Sequence, residues 1–61
     1  MKDAEIMQGD NGLYVHLYKH GELFGTVDIR QHSIVYAQEV VYNWERGLLT
    51  EDNSFIERPE V

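Results

Sequence analysis

Residues 13–29 read Leu13-Tyr14-Val15-His16-Leu17-Tyr18-Lys19-His20-Gly21-Glu22-Leu23-Phe24-Gly25-Thr26-Val27-Asp28-Ile29, and the reading of this stretch decides the fold. Leu13, Val15 and Leu17 alternate with Tyr14, His16 and Tyr18, the two-residue period of a β-strand. Leu23, Gly25, Val27 and Ile29 alternate with Phe24, Thr26 and Asp28 and give a second strand. Lys19-His20-Gly21 between them reads as a three-residue hairpin loop, with Gly21 at the left-handed position that other side chains disfavour. That loop sets Tyr18 against Glu22, Leu17 against Leu23, Val15 against Gly25 and Leu13 against Val27. Paired residues share a face, so one side of the ribbon carries Leu13, Val15, Leu17, Leu23, Val27 and Ile29. A two-residue loop at His20-Gly21 sets Leu13 against Asp28 and mixes the faces, which is costly when one face is buried. The three-residue loop is therefore expected.

The other face of the ribbon is then Tyr14, His16, Tyr18 and Phe24, together with Glu22, Thr26 and Asp28. Such an aromatic patch needs a cover. The candidates are the chain's own ends (Ile6 and Met7, or Phe55 and Ile56), a second copy, or a different protein.

Beyond the hairpin, Ser33 to Arg46 reads as a helix capped by Ser33, which either closes near Gly47 with Leu48 folding back on the last turn or runs on through Leu49. Ile34, Ala37, Val41, Trp44 and Leu48 recur at three- and four-residue spacing and form one apolar stripe, widened by Val40. It is expected to pack on the apolar side of the hairpin. Val35, Tyr42 and Leu49 lie seven apart on another side of the helix, a second stripe with the spacing of a short helix–helix seam. Residues 1–9 are either a frayed end or an edge strand turned back by Gly9-Asp10-Asn11-Gly12. Residues 50–61 are an acidic tail or an edge strand through Phe55-Ile56-Glu57, with Pro59 keeping the end extended. The fold class expected is α+β. A small two-layer antiparallel sheet, a central hairpin with an extra N- or C-terminal edge strand, packs on one amphipathic helix in a single ββα or βββα domain spanning residues 1–61.

Composition bounds the rest. A chain of 61 residues makes one domain, and one this short buries only about 60% of its unfolded surface. It has no cysteine, so disulfides and thiolate metal sites are excluded, which leaves a well-packed monomer or an oligomer to hold the fold. No apolar run is long enough to span a bilayer, and MKDAEIMQ lacks the core of a signal peptide, which makes the cytoplasm the expected compartment. The formal net charge is -6, from 5 Lys+Arg against 11 Asp+Glu, and the basic residues are scattered. Direct nucleic-acid binding is not expected, because neutralising phosphates needs a basic face.

No catalytic constellation is legible. His16, His20 and His32 follow no metal-ligand spacing, Glu39 and Glu45 are not one turn apart, and Ser33 is explained as a cap. Gly9-Asp10-Asn11-Gly12 lacks the following lysine and helix of a phosphate loop. The expectation is a non-catalytic protein-binding module without cofactor or metal. It acts as a homodimer or on another protein, as a small accessory or regulatory protein does. The sites are Tyr14, His16, Tyr18 and Phe24 on the ribbon and Val35, Tyr42 and Leu49 on the helix. The alternative is an acidic inhibitor of the kind made by viruses and mobile elements, which mimics nucleic acid to block a basic surface.

Overall fold

The computed structural model describes residues 1–30 and 32–58. It shows an α+β fold: a four-stranded antiparallel sheet with one helix packed on one face. The strands β1 (Lys2–Gly9), β2 (Gly12–Lys19), β3 (Glu22–Asp28) and β4 (Ile56–Glu57) lie side by side in that order. The helix α1 (Ile34–Glu45) connects through a loop to β4. Both ends that the sequence left open add a strand to the central hairpin, a long one before it and a two-residue one after it. Pro59 and Glu60 lie outside the described residues.

The β2–β3 connection is shorter than the pattern suggests, and the difference has a physical cause. His20 and Gly21 both have positive φ, 54° and 82°, the requirement of a two-residue turn whose twist matches the flanking strands. Lys19 therefore pairs with Glu22 and Tyr18 with Leu23. Kept throughout, that register would turn the apolar residues of β3 away from the core. A bulge repairs it: the register shifts between Leu17 and Tyr18, and Leu17 pairs with Gly25, His16 with Thr26 and Val15 with Val27. One extra residue in β3 restores the inward set. Two residues change places as a result. Leu23 joins Tyr18 on the outer side and is exposed, whereas Phe24 turns to the helix, its ring 5.2 Å from that of Trp44.

The core is Val15, Leu17, Val27, Ile29, Ala37, Val40, Trp44 and Ile56. It sits between the inward positions of the sheet and one stripe of α1, which crosses β1 and β2. Ala4 and Ile6 of β1 pack against it. The helix has weak local support: four of its twelve residues are β-branched, Ser33 caps with no side-chain hydrogen bond, and neither end has a favourable charge. Its stability therefore comes from the buried stripe. That stripe is Ala37, Val40 and Trp44 with Val41 half-buried, while Ile34 and Leu48, expected there, are exposed.

Gly47 ends the helix with φ 81°. The amides of Gly47 and Leu48 bond back to the carbonyls of Trp44 and Asn43 at 3.2 and 2.8 Å, which satisfies the last-turn carbonyls. The helix thus stops before Leu49, which folds in against the core. The seven-residue stripe is broken: Val35 and Tyr42 stay exposed on the helix, and Leu49 is neither on it nor free.

Gly25 is a position where no side chain fits. A Cβ there would lie 2.5 Å from Ile56 Cγ2 and 3.0 Å from the Glu57 carbonyl oxygen. Gly25→Ala is expected to cost about 1–3 kcal/mol, as overpacking does, and to speed amide exchange at Ile56 and Glu57 ahead of β1 and β2. The turn yields a second expectation. His20→Val should lower stability in urea unfolding by about 1–2 kcal/mol, because a β-branched residue resists the left-handed conformation, while His20→Asn should not lower it.

Candidate functional site

Alternation along the strands leaves the face opposite the helix as a grid. In one row Asp3 pairs with Tyr18 and Tyr18 with Leu23. In the next, Glu5, His16, Thr26 and Glu57 pair in succession, and in the third Met7, Tyr14 and Asp28. The central column is aromatic: Tyr14 and His16 have ring centroids 5.0 Å apart, His16 and Tyr18 6.2 Å. The Tyr18 hydroxyl and His16 Nδ1 approach to 3.5 Å, the long limit of a hydrogen bond. All three residues are half-buried. The described helix packs on the opposite face, against the core.

Of the ribbon residues expected to act together, Tyr14, His16 and Tyr18 do stand in one row. Phe24 does not belong to them; the bulge places it on the helix side. Of the helix residues, Val35 and Tyr42 are 57% and 54% exposed, and Arg46 lies over the Tyr42 ring at 5.0 Å. Sequence reasoning missed the flanks of the face, Asp3, Glu5 and Met7 from β1 and Glu57 from β4. The signal for β1 was present, since Asp3, Glu5 and Met7 alternate with Ala4 and Ile6. It becomes a signal only once β1 is known to pair.

The charge on this face is one-sided. Asp3, Glu5 and Glu57 make no ion pair among the described residues, and Asp28 is held by Arg30 through contacts of 2.7 Å from Nε and from the terminal nitrogen. The Arg30 amide also donates to the Asp28 carboxylate at 2.9 Å. A groove of about 340 Å³ crosses the Tyr14 end of the face, between the Asp10–Asn11 turn and Glu57. Asp10, Asp28 and Glu57 line it against the single guanidinium of Arg30.

The other cations lie elsewhere. Lys2 and Lys19 are directly paired at the far ends of β1 and β2, and such like charges repel. Glu51 lies between them on the helix side, 3.6 Å from Lys2 Nζ and 2.8 Å from Lys19 Nζ. His20 and His32 are remote from His16: His20 meets the N-terminal amine at 3.3 Å, and His32 stacks on Tyr36 at 4.2 Å. Among the described residues no group of three His, Asp or Glu side chains could hold a metal ion, and no helix is long and apolar enough to cross a membrane.

Compared with protein-family models, curated proteins and solved structures, the chain matches none.

Two surface ion pairs carry a small pH dependence. The hydrogen bond from the Arg30 side chain holds Asp28 below its ordinary value of 3.8, aided by the Arg30 amide. The Lys19 hydrogen bond likewise holds Glu51 below 4.5. A carboxylate depressed in the folded state adds stability that is complete above its unfolded pKa and lost as pH falls through the folded one. The contribution of both pairs to the urea midpoint is expected to be constant near neutrality and to fall below about pH 4.5. Arg30→Ala and Lys19→Ala should each flatten that acid-side fall.

Proposed function

We propose that this chain is a non-catalytic protein-binding module that engages its partner through the outer face of the sheet. The observation that carries this reading is the row Tyr14–His16–Tyr18, standing half-buried at the centre of the sheet face opposite the described helix. Tyrosines at the centre of a patch with charged residues at its rim are the arrangement that interfaces favour. Tyrosine contributes large contact area while losing little conformational freedom. The helix surface has separated hydrophobes, one already covered by Arg46, and the groove beside Tyr14 is open and shallow for a small-molecule site.

A homodimer is supported by a different feature. β1 has eight residues and forms one edge of the described sheet, and an unpaired edge of that length is a template for another strand. Two copies joined along β1 would present their outer faces as one continuous surface, so self-association and partner binding are compatible.

The test replaces Tyr14 and Tyr18 together with serine and, as a control, Val35 and Tyr42 on the helix. Both variants should keep the circular dichroism of the parent. Only Tyr14→Ser/Tyr18→Ser should lose the protein captured from the source cell by the parent chain; loss with the helix variant alone would sink the reading. Sedimentation from micromolar to millimolar concentration decides the dimer, which a constant monomer mass would eliminate.

A further inference from the structure

We propose, granting the outer face as the binding surface, that its occupant is an extended segment of another protein rich in arginine or lysine.

The first argument is what the chain does with its own cations. Lys2 Nζ lies 4.5 Å from the Trp44 ring centre, Arg58 lies 3.9 Å over Phe24 and Arg46 lies 5.0 Å over Tyr42. Three aromatic rings on the helix side and the helix surface are thus each capped by a cation, a contact favoured by the negative face of the ring. Among the described residues no cation lies over Tyr14 or Tyr18. Across the strands Tyr14 pairs with Met7 and Asp28, Tyr18 with Asp3 and Leu23, and His16 with Glu5 and Thr26, so each of the three has one acidic neighbour.

The second argument is the charge balance. Asp3, Glu5, Asp10 and Glu57 stand on or beside the face without an ion pair among the described residues, and the one cation nearby, Arg30, is taken by Asp28. A desolvated interface here would leave carboxylates unmatched unless the occupant brings positive charge, and unmatched buried charge is strongly unfavourable. The same balance disfavours nucleic acid, whose phosphates would meet the carboxylates, and disfavours a second copy laid face to face.

The third argument is spacing. The rings of Tyr14, His16 and Tyr18 succeed one another at 5.0 and 6.2 Å. Alternate side chains of an extended strand are about 6.6 Å apart. A strand-like segment running along β2 therefore sets successive long side chains over successive rings, with Asp3 and Glu5 on one flank and Glu57 on the other. At the Tyr14 end, the groove between Asp10 and Glu57 has room for a guanidinium.

The experiment is a titration of the isotope-labelled chain with three short synthetic peptides: alternating arginine and valine, alternating glutamine and valine, and alternating glutamate and valine. The arginine peptide should shift the amides of β1, β2 and β3 that flank the outer face, with an affinity that falls as salt rises. Tyr14→Ser/Tyr18→Ser should weaken it by about fivefold to thirtyfold, the worth of two exposed cation–ring contacts. Asp3→Asn/Glu5→Gln keeps the rings and should also weaken it, and this variant reads the charge term even if the tyrosine variant unfolds. Equal binding of the glutamine peptide at the same amides overturns the basic occupant and leaves the face as the binding surface. Binding of the arginine peptide on α1 instead overturns the face as well. No binding of the arginine peptide overturns the basic occupant.

Discussion

The indole of Trp44 has no exposed surface, and its Nε1 donates to the Tyr18 carbonyl at 3.0 Å. Phe24 packs on one part of the ring system and the Lys2 ammonium caps another. Burying an indole removes about 150–250 Å² from water, worth about 4–6 kcal/mol, against about 1 kcal/mol for the net hydrogen bond. Burial therefore holds the helix on the sheet, and the hydrogen bond fixes where it sits. The place matters, because Tyr18 lies at the bulge. The same residue that anchors an otherwise poorly supported helix also packs on the Phe24 that the bulge turns inward.

From this contact follows the division of the molecule into two unlike sides. The helix side takes the core, the turned-in Phe24 and four of the five Lys and Arg side chains, which are held by Glu51, by ring faces or by the Phe24 carbonyl. The outer side keeps Tyr14, His16 and Tyr18 together with Asp3, Glu5 and Glu57, which make no ion pair among the described residues. A net charge of -6 says only that acids predominate. The architecture concentrates the imbalance around the half-buried Tyr14 and Tyr18.

Much of this was legible from the chain. The alternation in Leu13–Tyr18 placed Tyr14, His16 and Tyr18 on one face, and that holds because each is two residues from the next in an unbroken strand. The helix was legible from Ala37, Val40 and Trp44, and its end from Gly47. Phe24 was misplaced because periodicity assumes a constant register, and a bulge adds one residue at a position that no composition rule marks. Leu49 was misplaced for the same kind of reason: a seven-residue spacing has meaning only while the helix continues, and Gly47 stops it.

The sequence by itself determined that there would be a hairpin and a helix, where each begins and ends to within a few residues, and that the chain would be acidic and without cysteine. These depend on local periods and on residues such as Gly21 and Gly47 that act through their own backbone. Only the tertiary structure decided which aromatic residues are shared with the core and which are left outside. That choice follows from a turn whose twist demands two residues, a core that demands the opposite parity, and one bulge that reconciles them. It also decided that β1 and β4 bring Asp3, Glu5 and Glu57 to the rim of the tyrosine face, because strand pairing joins residues too far apart in the chain for any local pattern to connect.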